Sequence, residues 1–176
     1  MKSLEEELLN LLSNNDYQET LLQLFEKTKN KIKFYETLFQ IVDKEPSLNV
    51  VEKILRFMST IRPIPFAYEV LIEKLFHKNQ KIRIAAAETL AIYRPDISEI
   101  LIDKMKSSTD SIENTEVIWL LGKIGKKEDL LFLKNLQEQI KNSNRERKEL
   151  EALNNAIQDI TLRYVDLWFE KKERKN

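Results

Sequence analysis

The chain has 176 residues, 42% of them apolar and 33% charged, with Lys+Arg and Asp+Glu both at 29. Two glycines and four prolines are too few for the turns of a sandwich or barrel, and the charge balance provides no polycation to attract a phosphate backbone. With no cysteine there can be no disulfide, thiol nucleophile or thiolate metal site. An all-α chain is therefore expected.

Apolar residues recur at helical spacing, and capping chemistry marks the breaks. The chain opens on the acidic run Glu5-Glu6-Glu7, where a secretory signal would be basic and then apolar, and no apolar run approaches the roughly 18 residues of a membrane span. A cytoplasmic protein is expected. Helices are predicted over 4–13 and 16–29, 31–45 and 47–61, 65–77 and 80–93, 96–107 and 111–124, and 127–141 and 144–170, which makes about five antiparallel hairpins.

Five starts carry an oxygen acceptor with an acid three residues on: Ser3 with Glu6, Asp16 with Glu19, Asp96 with Glu99, Asp110 with Glu113, and Ser143 with Glu146. In that spacing the pair satisfies unpaired amides or the positive end of the helix dipole. Pro46, Pro65 and Pro95 suit first-turn positions, where a missing N–H is harmless. No linker divides the chain, so one domain is expected over 1–176: a degenerate hairpin at 4–29, repeats over about 30–141 and a capping helix at 144–170.

Within this pattern Ile41-Val42-Asp43-Lys44, Leu71-Ile72-Glu73-Lys74 and Leu101-Ile102-Asp103-Lys104 stand 30 residues apart. A fixed helical period of that length predicts a solenoid whose hairpins bury their apolar faces only against neighbours. Leu and Ile of each tetrapeptide should pack inward, with the acid and Lys facing solvent. The second helices align as Ile82–Leu90 with Glu113–Leu121, an offset of 31.

Asn79, Ile82, Arg83, Ala86, Ala87 and Leu90, followed one copy later by Asp110, Leu121-Gly122 and Ile124-Gly125, resemble the second helix of short HEAT repeats of the phycobilisome-lyase type. The resemblance covers 65–125 best, and Glu113 and Asn114 depart from it where the family has an apolar residue and Arg. It implies a right-handed α-α superhelix. It also implies an inter-repeat pair of Arg83 with Asp110, set against the plainer reading of Asp110 as a cap and Arg83 as a solvated charge. Gly122 would allow close helix packing and Gly125 a left-handed cap.

HEAT-like stacks offer their second helices to partners, and the copies align Glu52 and Arg56, Ile84 and Glu88, and Thr115, Trp119 and Lys123 on corresponding stripes. Trp119 takes the position of Glu88. It is either an exposed anchor for another protein or core covered by the next hairpin. The closing Tyr164–Phe169 cluster reads as a cap packed on the preceding repeat, with a charged tail over 170–175. The lysine clusters at 27–33 and 123–127 read as solvated helix ends, because acids interrupt them and no aromatic platform accompanies them.

His77 is the only histidine and sits near a helix C-terminus, favouring the dipole rather than catalysis. No phosphate loop, nucleophile elbow or metal-ligand spacing occurs, so neither enzyme nor cofactor is expected. The expected function is a protein-interaction scaffold using Arg56, Ile84, Glu88, Thr115, Trp119 and Lys123, with nucleic acid as a lesser partner class. The resemblance also admits a nucleic-acid-binding protein of the HEAT-like DNA glycosylase kind and a bilin lyase or lyase-like chaperone. An uncapped apolar end of the stack would favour self-association.

Overall fold

The computed structural model describes the backbone of residues 3–14, 16–107, 114–141 and 147–173, with side chains as far as 165 except that of 147. The described residues form ten α-helices: α1 (Leu4–Leu12), α2 (Tyr17–Lys27), α3 (Lys31–Lys44), α4 (Leu48–Met58), α5 (Pro65–Lys74), α6 (Gln80–Tyr93), α7 (Ser98–Ser107), α8 (Thr115–Ile124), α9 (Asp129–Lys141) and α10 (Arg147–Glu173). They fall into two compact units, residues 1–93 and 94–176. The all-α expectation holds among the described residues.

In the first unit, local chemistry sets most helix starts. Ser3 and Glu6 form the expected reciprocal capping box. Asn30 and Ser47 accept the amides of Lys33 and Val50 at 3.0 and 3.2 Å, and Pro65 occupies the first turn of α5. Asp16 takes the N-cap position of α2 without a side-chain cap bond, so of the two expected roles it and first-turn Glu19 keep only the one toward the helix dipole. Pro46 is a correction: it lies before the cap residue Ser47, outside the first turn.

The core of this unit combines Phe34, Tyr35, Leu38 and Val42 of α3 with Ile54, Leu55, Phe57 and Met58 of α4, all essentially solvent-free. Phe25 meets Phe34 edge to face at 5.2 Å. Helices one repeat apart run in the same direction. On α3 and α5, Phe39 meets Phe66 at 5.2 Å and Glu45 meets Lys74 at 3.1 Å. On α4 and α6, the Leu55 carbonyl accepts the Thr89 hydroxyl at 2.8 Å, Arg56 pairs with Glu88 at 2.6 Å, and the Met58 carbonyl accepts the Tyr93 hydroxyl.

Lys74 departs from the expected solvent-facing role and is only 5% exposed. Glu45, which ends α3 in the left-handed region at φ 43°, turns its carboxylate back to Lys74. His77 joins them. Its Nδ1 accepts the Asn79 amide, so the proton sits on Nε2, 3.3 Å from Glu45 Oε1. A left-handed non-glycine residue costs about 1–3 kcal/mol, and here Lys74 and His77 of the next hairpin hold it in place.

The second unit repeats the same-direction arrangement with α8 and α10. Gly122 lies so close to α10 that an added Cβ would be 2.8 Å from Ala156 Cα, as its expected packing role requires. Arg163 closes the C-terminus of α8 by donating to the carbonyls of Gly122 and Gly125, groups that a helix end leaves unpaired. Gly125 is not a left-handed cap: its φ is −61°. Glycine is needed there because a Cβ would meet the Leu121 carbonyl at 2.3 Å and Ile160 at 3.0 Å.

Asp96 caps no helix. α7 begins at Ser98, beyond the first turn expected for Pro95, and the Asp96 carboxylate instead pairs with Lys126 at 2.6 Å. The expected caps at Asp110 with Glu113 and Ser143 with Glu146 lie outside the described residues.

Candidate functional site

The second helix of each hairpin carries the residues singled out in the sequence. In the first unit the stripe on α4 and α6 closes on itself. Arg56 donates from Nε to Glu52 at 3.0 Å and from Nη1 to Glu88 at 2.6 Å. Its fork therefore spans two helices, with all three side chains part-exposed. Ile84 lies half-buried one turn before Glu88. This arrangement brings Arg56 and Glu88 together, and pairing leaves the carboxylates little free charge to offer.

Arg83 is buried rather than solvated, 6% exposed, and donates from Nη1 to the carbonyls of His77 and Lys78 at 3.1 and 3.2 Å. It thereby holds the α5–α6 turn. Its expected partner Asp110 lies outside the described residues.

In the second unit the stripe opens. Thr115, Trp119 and Lys123 follow one another at four-residue spacing on α8 and so share one face. Trp119 is 38% exposed, which decides between the two sequence readings in favour of an accessible ring. Lys123 sits 5.7 Å from the ring centroid and binds Asp159 at 2.7 Å. Such a cation over an indole adds about 0.5–1 kcal/mol at an exposed site, and the ion pair with Asp159 holds the ammonium there.

Beside Trp119, between α8 and α10, lies an open groove of about 290 Å³. Thr115 and Trp119 form its α8 wall, and the small side chains Ala152 and Ala156 line its α10 side. The close Gly122–Ala156 approach pins the helices at one end. Lys148 and Glu151 stand on the rim, exposed and without an ion-pair partner among the described residues. Thr115 Oγ1 is shielded from solvent and has no hydrogen-bond partner among the described residues. A buried hydroxyl left this way costs about 1–3 kcal/mol.

Sequence reasoning identified the α8 wall and missed the α10 wall. The available signal was the stripe Lys148, Glu151, Ala152, Asn155, Ala156 and Asp159, spaced three and four apart along one helix. The aromatic residues Trp168 and Phe169 of the same helix lie beyond the described side chains.

Several lysines of the two sequence clusters are engaged within the fold. Lys31 donates to the carbonyls of Phe25 and Glu26 at the end of α2 and lies 4.3 Å from the Phe25 ring. Lys123 and Lys126 pair with Asp159 and Asp96. Among the described residues no group of three His, Cys, Asp or Glu side chains could hold a metal ion, and no helix is long and apolar enough to cross a membrane. In comparisons with protein-family models, characterised proteins and solved structures, nothing matches this chain.

Proposed function

We propose that this protein is a HEAT-like helical-repeat adaptor that binds another protein through the second helices of its hairpins, with Trp119 as the anchor. The observation that carries the reading is an exposed tryptophan beside a groove with small-residue walls. A large apolar surface there is lost from water only when a partner arrives, and buried indoles dominate binding energy at interfaces. The solenoid part of the reading draws support from same-direction pairing of equivalent helices at about one repeat's spacing, as in Glu45 with Lys74 and Arg56 with Glu88. The lysines tied to carbonyls and carboxylates favour a protein over a polyanion.

The test is site-specific photo-crosslinking in the native cell, with the photoreactive residue at 119 or, as a control, at the exposed Lys134 of α9. A discrete adduct is expected from position 119 alone. Indistinguishable adducts from both positions, or none from 119, would refute the adaptor reading.

A further inference from the structure

His77 is the only histidine of the chain, and its side chain is 10% exposed with both ring nitrogens engaged. Nδ1 lies 3.0 Å from the Asn79 amide nitrogen, and Nε2 lies 3.3 Å from Glu45 Oε1. A backbone amide only donates and a carboxylate only accepts. The contacts therefore admit one protonation state, a neutral ring with its proton on Nε2 and its lone pair on Nδ1.

Asn79 carries that state into α6. Its side-chain Oδ1 accepts the Lys81 amide at 3.0 Å, and its carbonyl accepts the amides of Ile82 and Arg83 at 3.2 Å. Three first-turn amides of α6 thus depend on Asn79, and the N–H of Asn79 depends on the imidazole. His77 is itself fixed to α5, since its own amide donates to the Lys74 carbonyl at 3.3 Å. The ring is the link between the end of one helix and the cap of the next, and Arg83 closes the same turn through the carbonyls of His77 and Lys78.

A proton added to Nδ1 sets one N–H against another, so the bond to Asn79 is lost. Glu45 gives the resulting imidazolium a counter-ion, although the same Oε1 already accepts Lys74 at 3.1 Å. The charged groups around the ring are Glu45 at the end of α3, Lys74 and its 3.5 Å partner Glu73 on α5, Lys78 in the turn and Arg83 on α6. None of them restores an acceptor to the Asn79 amide. Histidine is the side chain that ordinarily changes charge between about pH 5 and 8, a range in which Glu45, held below its usual carboxyl value by Lys74, stays ionised.

We infer that His77 is an acid-sensitive latch: its neutral ring ties the cap of α6 to the end of α5, and its protonation frees Asn79 and loosens the first turn of α6. The latch goes beyond the adaptor reading and operates with no partner bound. Ile84, next along α6 after the turn that loosens, belongs to the candidate binding stripe, so acid would act on the helix that carries it.

The test uses the full chain, uniformly labelled with nitrogen-15, between about pH 8 and about pH 5. Ring nitrogen shifts report the tautomer, scalar coupling across the N–H···N bond reports the contact of Asn79 with Nδ1, and amide exchange corrected for its intrinsic pH dependence reports the turn. At the alkaline end the coupling and the Nε2–H tautomer should both be present. At the acid end the coupling should be gone, and protection of Lys81, Ile82 and Arg83 should fall about tenfold, the factor for one hydrogen bond of ordinary strength. His77→Asn, whose side-chain oxygen can accept the amide two residues on without titrating, should keep its protection constant across the range. His77→Ala should show the low protection at both ends. An Nδ1–H tautomer at the alkaline end, a ring still neutral at the acid end, or α6 amides equally protected once the ring is charged would overturn the latch. So would an acid loss that survives in His77→Asn, or full protection in His77→Ala. The wild-type readings decide the outcome even where a variant fails to fold.

Discussion

Alanine at position 122 should destabilise residues 94–176, although alanine is the better helix former. In an exposed helix the change from glycine would contribute about 1 kcal/mol of stability, by reducing the entropy of the unfolded chain. At Gly122 the new Cβ would lie 2.8 Å from Ala156 Cα and 3.1 Å from its Cβ, against an ordinary carbon–carbon contact of about 3.5–4.0 Å. The nearer atom is backbone, so no rotamer relieves the clash and α8 and α10 must move apart by about 1 Å. Overpacking of that kind costs about 1–3 kcal/mol. Separation would also stretch the Lys123–Asp159 pair and the bonds from Arg163 to the α8 carbonyls. Taken with the propensity gain, the net loss is about 1–2 kcal/mol, or a fall in Tm of about 5–15 °C for a unit of this size. Circular-dichroism melts of wild type, Gly122→Ala and Gly122→Ala with Ala156→Gly would measure it. The double variant should recover only part of the loss, because the 2.8 Å contact to Cα remains. A single variant melting at or above wild type would refute the close-packing argument.

Two further outcomes follow from buried polar groups in the first unit. The hydrogen bond from Lys74 holds the Glu45 carboxyl below its ordinary pKa of 4.5, so its stabilising effect is full above that value and is lost as pH falls through the lower folded one. Glu45→Gln should therefore cost about 1 kcal/mol at neutral pH, since buried Lys74 then keeps only the longer 3.5 Å pairing with exposed Glu73. In urea titrations its stability should converge with wild type as pH falls well below the ordinary carboxyl value, and a gap that persists in acid would contradict the assignment. Burial pushes the Tyr35 phenol, which donates to the Arg62 carbonyl, up to about 12. Stability from this group is complete below the unfolded value near 10 and is lost as pH rises through about 12. Tyr35→Phe should cost about 1 kcal/mol at neutral pH and remove that alkaline loss, and a difference titration by phenolate absorbance showing Tyr35 ionising near 10 would count against its burial.

Much of the helical framework was legible residue by residue, because helix periodicity and first-turn chemistry act within a few ångströms along the chain. Ser3 with Glu6 and Pro65 need no distant partner, and where such signals lie the expected and observed bounds of α1, α3 and α5 agree within about three residues. Asp96 carries the same local signal and does something else. Lys126, 30 residues later, pairs with its carboxylate, and α7 begins only at Ser98, which leaves Asp96 outside the cap position. Gly125 was read as a left-handed cap on local logic, whereas the Leu121 carbonyl and Ile160 exclude a Cβ there.

The candidate site divides in the same way. Helical spacing alone put Thr115, Trp119 and Lys123 on one face of α8. Whether Trp119 was core or surface depended on α10, whose Ala152 and Ala156 line the groove without covering the ring, and whose Asp159 fixes Lys123 beside it. Lys74 likewise looked like a solvated residue of its tetrapeptide until Glu45 came back over it in a left-handed turn. Helix formation is decided by neighbours in sequence, while burial and pairing are decided by whichever remote segment comes within about 4 Å, and that proximity belongs to the tertiary structure.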